Sequence, residues 1–366
     1  MKVIQVVSDS NIGGAGKVVI NMLKFFDKEK IDCKVIIPKD SKLKPYIKQL
    51  GYDTIEIDGL GEVSFDLKLI KTFIKIFSDE KPDIVHTHAS LSARIAAKKL
   101  KIKVVYTRHW LDQGKTNFFA RLINNYLCDA VVAVSQATGN FVLSTGVAEK
   151  KINIIHNGIE PIRKYSDIEK KILRARCRVD DDTFVFGTVA RIEKVKGIKY
   201  FIDAADLFLR YNPNAEFLIF GEGTLTKELE NYVRELKREK NIIFEGFADN
   251  TQEVYNLLDV FVLPSLQEAL SLVLLEAMSA GCPCIATDCG GPREIIKENE
   301  NGILVKTKDS HAIFEAMKFL FENKDIRDKF SANAWHHVRE KFSASGMTNK
   351  ITELYERLIE KNVKRK

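Results

Sequence analysis

These 366 residues lack the cysteine spacing of a disulfide framework, any apolar run long enough to cross a bilayer, and a secretory leader. Only six cysteines occur in a chain of this length, with no small-domain pattern, which predicts reduced thiols. Cys282, Cys284 and Cys289 form the one cluster, and without an evident fourth ligand nearby they read as core thiols rather than a zinc site. No apolar stretch approaches the roughly 18 to 20 residues needed for a membrane helix. The N-terminus runs directly into Lys2, Val3 and Ile4 without a signal-peptide pattern, so a cytoplasmic protein is expected. Hydrophobic residues at 45% and charged residues at 29% exclude long disorder. A chain this long exceeds the reach of one hydrophobic core, and two α/β domains are the natural expectation.

Charge is present but unevenly placed. Residues 1–162 carry 24 lysines plus arginines against 17 aspartates plus glutamates, while the remainder is balanced at 33 against 33. The excess lies in lysine-rich stretches such as 39–48 and 68–77. These read as solvated surface, or as a face that docks on anionic lipid headgroups, because 68–77 has the spacing of a basic amphipathic helix. No nucleic-acid partner is expected.

Short β-branched runs alternate with helical-period stretches from the start: 3–7, 34–37, 54–57, 83–87, 103–107, 130–134 and 152–156, then 184–190, 216–221, 241–246, 260–264, 282–287 and 302–305. That alternation predicts two parallel sheets, each covered by helices, in two doubly wound units. The polar stretch 157–171, with Gly158 and Pro161, reads as a linker, which places the domains at 1–162 and 163–344. The tail 345–366 has helical period, with Ile351, Leu354, Tyr355 and Leu358 on one stripe.

Both halves open on a strand, a glycine-containing loop and a helix. Gly13, Gly14 and Gly16 precede an amphipathic helix whose N-terminus offers unpaired N–H groups to an anion. In the second half Arg191 and Lys196 follow a strand, with Gly197 closing the loop, where open α/β sheets bind ligands. An Arg fork and a Lys point charge suit a diphosphate, and a pair of surface cations is the plainer reading. The helix over 272–278 is apolar nearly all round, so Glu276 inside it must hydrogen-bond something specific, paired sugar hydroxyls or a neighbouring loop. Glu268 lies eight positions earlier, in the loop after a strand.

Taken together these motifs resemble glycosyltransferase family 4. Glu268 and Glu276 match its Glu, seven residues, Glu motif, and EAMSAGCP after it is similar to the family's usual sequence. Arg191 with Lys196 and Gly197, the early pair Gly13 and Gly14, GEG at 221–223, NGIEP at 157–161 and GGPREII at 290–296 match in family order. The resemblance implies the GT-B fold: two Rossmann-like doubly wound domains facing a cleft, with the C-terminal helix 345–366 crossing back to the first. It implies a retaining hexosyltransferase taking a nucleotide diphosphate sugar, UDP by family frequency, to an acceptor hydroxyl. By the same resemblance Glu276 binds the ribose, Glu268 contacts the donor sugar, and Arg191 and Lys196 hold the diphosphate. Gly13 and Gly14 lie against the phosphates or the incoming sugar, and His109 is the active-site histidine of the first domain. No metal and no separate cofactor are implied, in keeping with the missing Asp-x-Asp motif near a strand end.

Two departures stand out. Ala269, Leu270 and Ser271 replace the Gly-Phe-Gly of many members, and Arg108 places a cation beside His109. Arg108 either recognises a phosphate or carboxylate on the acceptor or pairs with a nearby acid. His86 and His88, two apart at a strand end, point to one face and read as structural or cleft-lining histidines rather than a metal pair. The placement of positive charge favours a cell-envelope glycan or lipid-linked acceptor, with peripheral contact at the inner face of the membrane. A nucleotide-sugar 2-epimerase of the same architecture and a non-catalytic membrane-associated binding module are the alternatives.

Overall fold

The structure, a computed structural model, describes residues 1–11, 13–61, 65–111 and 118–363. The chain forms two compact units, Met1–Glu160 together with Ser343–Lys366, and Pro161–Phe342.

The first unit is built on seven parallel strands: β1 (Lys2–Val6), β2 (Asp32–Pro38), β3 (Asp53–Ile57), β4 (Ile84–Thr87), β5 (Lys103–Arg108), β6 (Ala130–Ala133) and β7 (Ile152–Ile154). Their spatial order is β3-β2-β1-β4-β5-β6-β7, so the winding reverses between β1 and β4. All seven coincide with the β-branched runs read from the sequence, because strands covered on both faces must be apolar throughout.

The lysine-rich stretch 68–77 belongs to the helix Leu67–Glu80, whose N-cap Asp66 accepts from the backbone N–H groups of Lys68 and Leu69. Leu69, Phe73 and Phe77 recur along one face and pack into the core with Ile4, Val6, Ile36 and Val85. Burial of each such side chain is worth about 1.5–3 kcal/mol. This corrects the lipid-docking reading of the helix: its apolar stripe of Leu69, Phe73 and Phe77 is already occupied by the core, and the lysines face out together with Leu67, Thr72, Ser78 and Asp79.

The helix Ala344–Val363 returns to this first unit, as the resemblance implied; residues 364–366 of the expected span lie outside the described residues. Ile351, Leu354 and Tyr355 are buried, and the Tyr355 ring lies 6.3 Å from that of Phe26, at the end of the helix Gly14–Phe25. The chain returns beside Ile159, where the Ala344 N–H donates to the Ile159 carbonyl at 2.9 Å.

The second unit carries six parallel strands: β8 (Phe184–Val189), β9 (Ala215–Phe220), β10 (Ile242–Gly246), β11 (Val260–Leu263), β12 (Cys284–Thr287) and β13 (Ile303–Val305). Their order is β10-β9-β8-β11-β12-β13, with the reversal between β8 and β11. Its core is rich in phenylalanine; Phe186 and Phe217 stack at 5.2 Å, and Phe201 and Phe208 close on them edge-on.

The polar stretch after Gly158 is not linker throughout. Asp167–Arg176 is a helix opened by a capping box, in which Ser166 and Glu169 bond each other's backbone N–H groups. Cys282 and Cys284 are buried free thiols and Cys289 is partly buried; burial pushes the Cys282 thiol up to about 12. Among the described residues no group of three or more His, Cys, Asp or Glu side chains is placed to hold a metal ion.

Candidate active site

In the second unit the expected site residues stand at the carboxyl edge of the sheet, on either side of the reversal between β8 and β11. Beyond Val189 the chain enters the loop that holds Arg191 and ends in the turn Lys194–Lys196. That loop is clamped to the GEG turn after β9. The Ile192 N–H donates to the Glu222 carbonyl at 3.0 Å, and the Glu193 carboxylate accepts from the Thr224 N–H and hydroxyl. Arg191 is exposed, and among the described residues its guanidinium makes no hydrogen bond.

Gly197 then turns the chain into the helix Ile198–Tyr211 with φ +65°, and a Cβ there would stand 2.1 Å from the Pro264 carbonyl oxygen. Only glycine accepts both the left-handed backbone and the close approach. The approach places Lys196 against the loop beyond β11, and its Nζ donates to Glu268 Oε1 at 2.6 Å. The Ser265 hydroxyl donates to the same oxygen at 2.8 Å. Oε2 of Glu268 receives no hydrogen bond from any described residue.

The Glu268 backbone is fixed from the other side by the segment after β12. Its N–H donates to the Cys289 carbonyl at 3.4 Å, and its own carbonyl accepts from the Gly291 N–H at 3.0 Å. A Cβ on Gly291 would meet the Ala269 carbonyl oxygen at 2.2 Å, so Gly290 and Gly291 lie closely against the Glu268 loop before the chain turns into the short helix Pro292–Ile295. The Ala269-Leu270-Ser271 departure leads directly into the next helix, with Ser271 as N-cap accepting from the Leu274 N–H.

Glu276 is buried in the helix Leu272–Ser279, and the fully buried Tyr255 donates its hydroxyl to Glu276 Oε2 at 2.9 Å. Burial first, and the Glu276 carboxylate beside it, push the Tyr255 phenol well above its ordinary range, so it remains a donor. One partner of Glu276 is thus a tyrosine 21 residues away, which sequence spacing did not reveal.

In the first unit Gly13 caps the helix Gly14–Phe25, with no side-chain cap on its first N–H groups. His86 and His88, on and just past β4, and His109, just past β5, come together with rings stacked at 4.6 Å and 5.1 Å. His109 Nε2 lies 2.8 Å from His88 Nδ1, and His88 Nε2 lies 3.0 Å from Gln5 Oε1. Burial, then the Arg108 cation, hold His109 at about 4; burial alone accounts for most of the drop of His86 to about 3. All three are therefore neutral at pH 7. Arg108 donates to the Trp110 carbonyl and the Tyr106 hydroxyl and lies over the rings of Trp110 and Phe141.

A further depression, which the sequence did not announce, opens at the carboxyl ends of β1, β2 and β3. It has a volume of about 440 Å³ and is lined by Ser8, Asp9, Lys39, Asp58, Gly59 and Gly61.

With this geometry in place, comparison with known proteins is informative. A family model described as Glycosyltransferase Family 4 matches residues 12–163, and one described as Glycosyl transferases group 1 matches 169–337. The chain belongs to glycosyltransferase family 4. It is 26% identical to UDP-Gal:alpha-D-GlcNAc-diphosphoundecaprenol alpha-1,3-galactosyltransferase of Escherichia coli over 94% of each chain. It is 25% identical to the capsular polysaccharide biosynthesis glycosyltransferase CapM of Staphylococcus aureus over 93% of each. Among solved structures, Anabaena Alr3699/HepE in complex with UDP and glucose superposes with a TM-score of 0.87 at 21% identity, covering 98% of this chain and 100% of that one. That likeness establishes the GT-B fold of two Rossmann-like domains, and the chain is a glycosyltransferase.

Proposed function

We propose that this glycosyltransferase moves a hexosyl group with retention from a UDP-sugar to a hydroxyl of a cell-envelope glycan or lipid-linked acceptor, without a metal ion. The observation that carries the reading is the Lys196–Glu268 pair at the reversal point of the second sheet, flanked by the exposed Arg191. Open α/β sheets bind ligands at such points. A lysine ammonium has three N–H donors, so Lys196 can keep Glu268 and still bind phosphate oxygens. Together with Arg191 it would neutralise the diphosphate as the glycosidic bond breaks and its electron pair passes to the leaving oxygen. These cations take the role a divalent metal would otherwise fill.

Glu268 Oε2 is the acceptor for a donor-sugar hydroxyl, and Glu276, braced by Tyr255, is the acceptor for the ribose. Gly14 opens a helix N-terminus whose first backbone N–H groups suit an anion, while the Gly13 N–H is given to the Asn11 carbonyl at 2.8 Å. The polar depression at β1–β3 suits a hydroxyl-rich acceptor.

The named relatives support a UDP-sugar donor and an envelope acceptor. The surface that suits membrane contact is not the helix Leu67–Glu80 but the helix Phe118–Tyr126, where Phe119, Leu122, Ile123 and Tyr126 are exposed at helical spacing beside Arg121. No helix among the described residues is long and apolar enough to cross a membrane, so such contact would be peripheral.

The test is incubation with UDP-sugars and undecaprenyl-diphosphate-linked acceptors, with and without EDTA, followed by product analysis. An α-linked product formed equally in EDTA bears out the reading. An epimerised nucleotide sugar released without acceptor would replace it with the epimerase alternative.

A further inference from the structure

The histidines of the first unit belong to a longer chain of hydrogen bonds that no single motif contains. From the core outward, Thr107 Oγ1 lies 2.6 Å from His86 Nε2, and His86 Nδ1 lies 2.5 Å from the Tyr355 hydroxyl. The Gln5 amide nitrogen donates to that hydroxyl at 2.9 Å, Gln5 Oε1 meets His88 Nε2, and His88 Nδ1 meets His109 Nε2. Thr107, His86, Tyr355, Gln5 and His88 are all buried, so each bond runs where water does not compete.

Such a chain has a direction. A neutral imidazole carries one N–H and one lone pair, and an amide has distinct donor and acceptor ends. Because Gln5 turns its oxygen to His88, His88 must donate from Nε2 and is left with a lone pair on Nδ1. His109 must then donate from Nε2, and its Nδ1 carries the lone pair. At the other end, the Tyr355 hydroxyl accepts from Gln5 and donates to His86 Nδ1, so His86 donates to Thr107 from Nε2. Each of the five links then pairs one donor with one acceptor.

We infer that Gln5, His88 and Tyr355 are positioning residues that fix His109 as its Nε2–H tautomer, so that its free ring nitrogen, Nδ1, meets a reacting sugar as a hydrogen-bond acceptor only. This rests on the transferase reading for the sugar, while the tautomer itself rests on the chain of contacts. A histidine held this way accepts from a hydroxyl and cannot serve as a donor to an oxyanion. The burial and neighbouring cation that hold His109 at about 4 keep it neutral across the working range. The link to Tyr355 also makes the C-terminal helix part of the site's chemistry, 350 residues from Gln5.

The experiment is long-range ¹H–¹⁵N NMR of the full-length, ¹⁵N-labelled protein at pH 7, with His109 assigned by comparison with His109→Gln. The expected spectrum has a protonated Nε2 and a bare Nδ1 on His109. Tyr355→Phe removes the hydroxyl that joins Gln5 to His86 while keeping the ring. It should give a mixture of His109 tautomers and a kcat lowered about tenfold, with the donor KM changed by less than about twofold. His88→Phe should behave alike, and His88→Gln, which can bridge donor and acceptor, should restore most of the loss. A wild-type His109 protonated on Nδ1 overturns the inference even if no variant folds, as does Tyr355→Phe with an unaltered tautomer and full kcat. The spectrum needs no donor, so a wild-type protein without any turnover would defeat the transferase reading and leave the tautomer to be judged by itself.

Discussion

The two sheets reverse their winding at equivalent places, between β1 and β4 in the first unit and between β8 and β11 in the second, yet they furnish these points with opposite electrostatics. The second unit sets an ion pair there. Lys196 and Glu268 pair at 2.6 Å, and Arg191 stands exposed beside them. The first unit keeps its groups neutral, by burying three histidines in a chain of hydrogen bonds. A charged leaving group needs fixed counter-charge, and a neutral hydroxyl needs an oriented lone pair. One architecture supplies both because residues at the carboxyl edge of a doubly wound sheet are free of structural duty, whatever their chemistry.

The contrast can be broken most severely at Lys196. Lys196→Ala should lower kcat/KM by about a hundred- to a thousandfold, the usual cost of one preorganised donor at a developing charge, with far-UV circular dichroism unchanged. Near-wild-type turnover would show that the charged edge is not the donor site. Next in size, Gly197→Ala forces a Cβ toward the Pro264 carbonyl at φ +65°, so the backbone must shift. It should lose about 1–3 kcal/mol in urea unfolding and misplace Lys196, so activity falls further than stability alone would require. Unchanged unfolding midpoints would contradict the close approach.

Glu268→Gln keeps a hydrogen-bonding group for Ser265 and removes the charge that holds Lys196. A drop of about tenfold in kcat, with the ion pair gone, is expected from steady-state kinetics. The smallest effect concerns pH. His86 and His109 have pKa values depressed below the ordinary 6.5, to about 3 and about 4, so the unfolded chain binds more protons between those values. Their contribution to stability is therefore complete above about pH 6.5 and is lost as pH falls toward 4 and 3. Thermal melts should fall more steeply over that interval in the wild type than in a His86→Gln, His109→Gln variant. Parallel curves would remove the histidines from the account. Catalysis above pH 6 should show no limb from His109.

Much of this was legible beforehand, and the reasons differ by feature. All thirteen strands could be read because parallel sheets covered on both faces require β-branched runs. Lys196 and Glu268 were each named from motifs, but their contact spans 72 residues and depends on Gly197 meeting Pro264, which no spacing encodes. Tyr255 beneath Glu276 and Tyr355 beside Gln5 were hidden for the same reason. The helix Leu67–Glu80 misled because a basic amphipathic helix has one pattern whether its apolar face meets a sheet or a lipid. The helix Asp167–Arg176 was readable from Ser166 and Glu169, a capping box masked by the polar composition around it.

Calorimetric titration with UDP tests the central claim most directly, since it asks only whether the cationic edge of the second unit holds a nucleoside diphosphate. The wild type should bind UDP saturably and without added metal, and an Arg191→Ala, Lys196→Ala variant that still folds should show no heat of binding. Equal affinity in the two proteins would contradict the assignment of the donor site.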